Sequence, residues 1–327
     1  MGANLDARRQ DTARRLSEIR EGLVNAEQEF GDRACVYTTG SFGRGEASSH
    51  SDLDLFIVGP ADEKGRRSFP NLDEICLKAD LIRLTRRQRF PEFSGDGEYL
   101  NHYTVHDLVK TLGQPEDDSS NTLTARLLLL LESQPVLGVA VYKVATEEVI
   151  RAYWRDYEGH EGSFMPAYLA NDILRLWRTL CVNYEARTST EPATKKAKRK
   201  LKNYKLKHSR LLTCYTALLY LLSVHKTTGT VTKADAMAMI ELTPTKRVEW
   251  LRTNGEPGWG PSVNQVLDCY DKFLGVTDRP EAELVEHFLD KELSAGYVKD
   301  ASQLGDAVFE LLAAIGGNSS FYRLLVV

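Results

Sequence analysis

The chain has 327 residues, 42% of them hydrophobic and 9% aromatic, which is enough apolar side chain for one large or two modest domains with ordinary cores. A formal net charge of −4 gives no global attraction to nucleic acid. The five cysteines (Cys35, Cys76, Cys181, Cys214 and Cys269) show no Cys-x-x-Cys spacing and have apolar neighbours, which points to buried free thiols in a reducing compartment and not to a disulfide framework. Met1–Arg20 is polar and mixed in charge, without an apolar signal core, so the expected location is cytoplasmic.

Leu5–Phe30 has the period of an amphipathic helix, through Leu16, Ile19, Leu23 and Val24, and leads into a short apolar strand, Ala34–Tyr37. The next stretch is the most informative in the chain. Thr38-Thr39-Gly40-Ser41-Phe42-Gly43-Arg44-Gly45 is a small-residue loop, and Ser51-Asp52-Leu53-Asp54-Leu55-Phe56-Ile57-Val58 follows at once. Gly43 and Gly45 let backbone approach a ligand closely. Asp52 and Asp54 head a buried strand two residues apart, so alternation turns both carboxylates to one face. Such a pair repels unless a cation sits between the two groups, and an all-oxygen site suits a hard divalent ion accompanied by substrate phosphates. Either half alone is weak, since Asp-x-Asp pairs also sit solvated at sheet edges and Gly-rich turns often precede helices. Their order is what carries the reading.

Gly40 through Leu55 resembles, without a gap, the signature of the DNA polymerase β-like nucleotidyltransferase superfamily: a Gly-Ser turn, then Asp-x-Asp on the next strand. In look the chain is closest to stand-alone PII-uridylyltransferase-like and bacterial defence nucleotidyltransferases. The resemblance implies an α+β fold, a small mixed-sheet catalytic core followed by an all-helical domain.

A third carboxylate is expected on a later strand. Asn71–Arg89 has helical periodicity, which makes Asp80 a poor candidate. Phe93–Val105 reads as a turn feeding a strand; Asp96 lies where the chain enters it, with Glu98 in reserve and an ordinary Asp-Gly turn as the competing reading. Val105–Leu112, Pro115–Asp118 and Asn121–Leu137 then resemble the strand, short helix and Ala-Arg-Leu-rich helix of PII-uridylyltransferase-like proteins. The leucine run Leu127–Leu131 is a core helix, far short of the ~20 apolar residues that span a bilayer, and no membrane association is expected. His102 and His106 straddle a strand-to-helix boundary with no cysteine nearby, which argues against zinc.

From Ala145 helices dominate: 145–157, 166–186, 196–224, 233–241, 263–274, 279–293 and 301–315, with a polar break at Thr188–Thr194. The expected division is a catalytic domain over 1–140 and a helical nucleotide- and acceptor-binding domain over 141–327. Lys195–Arg210 carries many lysines and arginines and no acidic residue, while Leu201, Tyr204, His208, Leu211 and Tyr215 form an inward stripe. The run is either a solvated basic face or a polyanion site, in which Lys202 and Lys205 reach the triphosphate and Lys195–Lys200 hold a nucleic-acid acceptor or product. Arg175 and Arg178 face a cleft or pair with Asp172, and Trp177 packs inward.

The resemblance implies a metal-dependent, template-independent nucleotidyltransferase that acts at the α-phosphate of an NTP or dNTP. Two Mg²⁺ or Mn²⁺ ions would be held by Asp52, Asp54 and Asp96. Gly40, Ser41, Gly43 and the rest of the turn would grip the outer phosphates, with Arg44 adding charge or lying on the surface. The product that the resemblance implies is a nucleotide or oligonucleotide signal in bacterial anti-phage defence, acting on an effector protein. The alternative is a toxin-type transferase that modifies tRNA or a protein side chain and is paired with an antitoxin. An inactive binding module conflicts with an intact Ser41, Asp52 and Asp54.

Overall fold

The computed structural model describes residues 2–62, 64–91, 93, 100–185, 192–317 and 319–326. The chain divides into two compact units, residues 7–155 and residues 1–6 with 156–327.

The first unit is built on a four-stranded mixed sheet of order β3-β2-β1-β4. Strands β1 (Cys35–Thr38) and β2 (Leu55–Gly59) run antiparallel with Thr38 opposite Leu55, β4 (Gln134–Leu137) is antiparallel to β1, and β3 (His102–Thr104) is parallel to β2. The four residues of β1 are all buried, because helices cover both faces of the sheet. On one face Val36, Ile57 and Val136 join Leu16, Ile19 and Leu23 of α1 (Ala3–Gly22), Phe30 of α2 (Val24–Phe30), and Leu77, Leu81 and Leu84 of α4 (Asn71–Arg87). On the other face the Tyr37 ring stacks on Phe56 at 5.5 Å and meets Tyr142 of α8 (Val139–Tyr153) edge-on at 6.3 Å. Alternation along β1 therefore sorts an aliphatic face from an aromatic one.

Two expectations for this unit are corrected. The Val105–Leu112 segment opens as a helix, α5 (Val105–Lys110), and not as a strand. Thr104 Oγ1 accepts the Asp107 N–H at 3.0 Å and Asp107 Oδ2 accepts the Thr104 N–H at 3.1 Å, a capping box that ends β3 after three residues. The leucine-rich helix, α7 (Thr122–Leu131), stops well before Leu137: Glu132 leaves helical geometry (φ −154, ψ 51) and the chain continues as edge strand β4. Pro135, which lacks an N–H, is tolerated at that edge. Among the described residues no cysteine forms a disulfide, but contrary to the expectation of burial Cys76 on α4 is exposed and Cys181 and Cys269 are half-buried.

Between α5 and α7 lies α6 (Glu116–Ser119), and its Asp117 forms a fork with Arg126 of α7 in which both side chains are fully buried. Arg126 Nη1 and Nη2 donate to Asp117 Oδ1 and Oδ2 at 2.9 and 2.7 Å, Nη1 also donates to the Leu108 carbonyl, and Nε donates to Tyr153 Oη. Thr122 Oγ1 adds a donor to Asp117 at 2.8 Å. A buried pair satisfied in this way fixes how four helices meet, α5, α6, α7 and α8, and removing one member strands the other charge.

The second unit is helical. It comprises α9 (Ala167–Glu185), α10 (Ala193–Lys205), a π turn (Leu206–Arg210), α11 (Leu211–Thr228), α12 (Lys233–Glu241), α13 (Pro244–Asn254), α14 (Gly260–Val276), α15 (Glu281–Leu289), α16 (Lys291–Gly316) and α17 (Ser320–Val326). α11 is buried along Leu212–Thr213-Cys214 and Thr216–Val224 and forms its centre. Helix α13 has no counterpart in the expected elements; Thr243 caps it and Pro244 occupies its first turn. Asp290 ends α15 and caps α16 through the Glu292 and Leu293 N–H groups, which sets the break ahead of the expected one. Among the described residues no helix is long and apolar enough to cross a membrane.

His208 lies in the π turn with its ring stacked on Phe273 at 4.4 Å and its Nδ1 2.8 Å from the Tyr204 carbonyl. Burial lowers its pKa to about 4.

Two stability predictions follow from these buried groups. Asp117→Ala should cost about 3–5 kcal/mol in urea unfolding, and an unchanged midpoint would refute the role given to the fork. For His208 the folded chain takes up the proton only near pH 4, whereas the unfolded chain does so near 6.5. Its stabilising contribution is therefore complete above that range and is lost as pH falls from 6.5 toward 4, by on the order of 3 kcal/mol. Urea midpoints across this window should fall in the wild type, and His208→Phe should flatten that part of the profile.

Candidate functional site

The site grows from the end of β1. Thr39 is still extended (φ −122, ψ −162), and the chain then turns sharply at Gly40, whose φ of +62 suits glycine. A Cβ on Gly40 would lie 2.6 Å from Asp54 Oδ2, so the missing side chain also leaves room for that carboxylate. A single helical turn follows, α3 (Gly40–Gly43). At Gly43 a Cβ would fall 2.0 Å from the Glu132 carbonyl oxygen, so backbone passes directly over backbone there.

Beneath this turn is a buried charge network. Gly40 donates its N–H to Glu132 Oε1 at 3.1 Å, and Arg44 Nη1 donates to Glu132 Oε2 at 2.9 Å. Arg44 Nε donates to Glu46 Oε1. Arg44 is 7% exposed, and Glu46 and Glu132 are 2% exposed each. Arg44, expected among the phosphate-contacting residues or at the surface, thus has its guanidinium directed inward to two carboxylates, where it braces the turn. The Gly40 N–H, expected to face phosphate, is taken by Glu132.

α1 holds the far side of the loop. Arg8 Nη1 donates to the Glu46 carbonyl at 3.1 Å, and Thr12 Oγ1 accepts the Ala47 N–H at 2.8 Å. Arg15 donates to the Ser48 carbonyl and lies 4.6 Å over the Phe42 ring; burial lowers its pKa. None of Arg8, Thr12, Arg15 or Glu132 stood out in the sequence. Glu132 left one trace, a lone carboxylate closing the run Leu127–Leu131.

Asp52 and Asp54 lie just ahead of β2. Leu53 and Leu55 between and after them are 3% and 4% exposed, while both aspartates are exposed, which is the alternation of an extended segment with one face in the core. Asp54 is tied to the turn through its backbone, its carbonyl accepting the Thr39 N–H at 3.0 Å. Ser41, half-buried, stands beside Gly40 at the start of α3. Its N–H belongs to the first turn of a helix with no side-chain cap, where amides have no intrahelical acceptor. The structure therefore brings Gly40, Ser41, Gly43 and Asp54 together, with Asp52 two residues away on the same strand face. Asp96 and Glu98 lie outside the described residues, and among the described residues no group of three or more acidic, histidine or cysteine side chains is placed to hold a metal.

Lys202 and Lys205 are exposed on α10 and belong to the helical unit. In that unit Arg175 and Arg178 line a cavity of about 340 Å³ on α9, with Arg175 3.8 Å from Asp172. Trp177 is half-buried, edge-on to Tyr215 at 6.0 Å.

A mixed sheet with a Gly-Ser turn after one strand and an Asp pair leading into the next defines a class of transferase core. Residues 16–115 match the family model of a nucleotidyltransferase domain. The chain carries a nucleotidyltransferase domain of the polymerase β-like superfamily, whose members are transferases of phosphorus-containing groups. The match takes in the Gly-Ser turn and both aspartates and ends before Glu132. No curated protein matches the chain.

Gly40→Ala should be costly through its left-handed backbone, about 1–2 kcal/mol, with a further loss from displacing the Asp54 carboxylate. Urea unfolding checks this, and a variant as stable as the wild type would show that the turn does not need glycine.

Proposed function

We propose that the chain is a metal-dependent, template-independent nucleotidyltransferase that joins the α-phosphate of an NTP or dNTP to an acceptor hydroxyl and releases pyrophosphate. The observation that carries this reading is the placement of the exposed Asp54 carboxylate directly against Gly40, with Asp52 on the same face and Ser41 alongside. The donor set fits hard divalent cations: the two carboxylates are exposed and supply only oxygen, and Asp54 borders a space that a Cβ on Gly40 would fill. Asp52 and Asp54 would hold Mg²⁺ or Mn²⁺, with Asp96 as the proposed third carboxylate. Bound there, such ions neutralise triphosphate charge and make the attacking hydroxyl more acidic.

The chain's own groups do the rest. The Ser41 N–H and Oγ donate to outer phosphate oxygens, and the absence of a side chain at Gly40 lets the backbone come close, while Gly43 seats the turn on the Glu132 backbone. Arg44, Glu46 and Glu132 act at one remove by keeping the turn in one shape. Catalysis of this kind is chiefly positioning and charge complementarity, so a turn fixed before the substrate arrives is an advantage.

Synthesis of a nucleotide or oligonucleotide signal in bacterial defence is the role supported by the resemblance to compact two-part defence members. A second reading, transfer to tRNA, is supported by the basic run Lys195–Arg210, whose exposed lysines include Lys202 and Lys205. Purified protein incubated with each α-³²P-labelled NTP and dNTP, with Mg²⁺ or Mn²⁺ and then with bulk tRNA added, tests the proposal. Labelled product is expected from the wild type and none from Asp52→Ala or Asp54→Ala, both still folded. Full activity in either variant would sink the mechanism.

A further inference from the structure

The helical unit holds a cavity of about 540 Å³ among α10, α15 and α16 that the proposed reaction does not use. Its size falls within the usual range of small-molecule sites. Lys200, Lys207 and Lys291 stand on its wall, and among the described residues no carboxylate lines it. Phe288 and Tyr297 supply flat apolar surface, their rings 5.0 Å apart. Lys200 Nζ leans toward Ser294 Oγ at 3.4 Å, a weak contact that leaves the ammonium other donors.

A second, independent observation comes from Tyr204, which also lines the cavity. The residue is 3% exposed, yet its buried hydroxyl has no hydrogen-bond partner. Buried polar groups are nearly always paired, so an unpartnered hydroxyl on a residue that lines the cavity points to a partner yet to be supplied. Tyr204 sits immediately before the π turn Leu206–Arg210, an irregularity that is frequent at functional sites. That turn carries Lys207 to the cavity and places His208 against the Tyr204 ring at 4.4 Å.

We propose that this cavity binds a 5′-phosphorylated nucleoside, free or at the end of a short oligonucleotide, with its phosphate on Lys200, Lys207 and Lys291. The base lies against Phe288 and Tyr297, and a polar atom of the ligand takes up the Tyr204 hydroxyl. All of the site's lining residues belong to the helical unit, and none is part of the Gly-Ser turn or the Asp pair. It suits an effector or a product more than the nucleotide undergoing transfer.

The test is calorimetric titration of the full-length chain in EDTA with 5′-AMP, 5′-UMP, a 5′-phosphorylated trinucleotide and inorganic phosphate. Saturable binding of a nucleotide is expected, weakened about tenfold or more by the double variant Lys207→Ala/Lys291→Ala and less by Tyr204→Phe. Asp54→Asn should leave it unchanged. The lysines are exposed, so the variants should fold as the wild type does, and thermal melting checks that. Tighter binding of the trinucleotide than of the mononucleotides would identify the ligand as an oligonucleotide end, and the reverse as a free nucleotide. The proposal is overturned if no nucleotide binds at millimolar concentration, if the double lysine variant binds as well as the wild type, or if Asp54→Asn abolishes binding. Inorganic phosphate binding as tightly as 5′-AMP would equally overturn it, by removing the contact to the base.

Discussion

Glu132 reaches from the end of α7 to the turn after β1, where one of its oxygens accepts the Gly40 N–H and the other accepts from the Arg44 guanidinium. Without that acceptor the amide at the tightest point of the turn would lose its hydrogen bond, and Arg44 would lose its bond to Glu132. The rest of the site depends on this contact. It fixes the direction in which α3 leaves β1, and hence where the Ser41 N–H and hydroxyl stand relative to Asp54. Burying a cation between two carboxylates is a weak way to gain stability but a strong way to impose one geometry.

The sheet gives the network its footing. Thr38 pairs with Leu55, and the Thr39 N–H continues the ladder to the Asp54 carbonyl, so the turn and the Asp pair occupy the same end of two adjacent strands. Covering both sheet faces, aliphatic toward α1 and α4 and aromatic toward α8, prevents β1 and β2 from slipping in register. A slip of one residue would carry Asp54 into the core and Leu55 into solvent. α1 serves twice, packing Leu16, Ile19 and Leu23 into the core while Arg8, Thr12 and Arg15 hold backbone carbonyls and an amide of the loop.

What was legible in the sequence was local. The Gly-Ser turn, the alternation of Asp52, Leu53, Asp54 and Leu55, the helix at Asn71–Arg87 and the inward stripe Leu201, Tyr204 and His208 all express a period or a turn chemistry within a few residues. What escaped was either a stop signal overridden by a run or a contact across the chain. The leucines of α7 hid its end at Leu131, and the strand that the resemblance implied over Val105–Leu112 gives way to the helix that the Thr104–Asp107 capping box starts. Glu132 is 92 residues from Gly40 in sequence, and no periodicity announces such a bond. Arg44 read either as added charge near the phosphates or as a surface residue; in the fold its guanidinium donates to Glu46 and Glu132.

The central claim is that Asp52 and Asp54, beside the Gly-Ser turn, form a cation-dependent nucleotide site. The most direct measurement is an electron paramagnetic resonance titration of Mn²⁺ into the full-length protein, with and without a non-hydrolysable NTP analogue. The account predicts Mn²⁺ immobilised on the protein, more tightly when the analogue is present, and lost in Asp54→Asn protein that melts like the wild type. Mn²⁺ bound equally by the variant, or indifferent to the nucleotide, would contradict it.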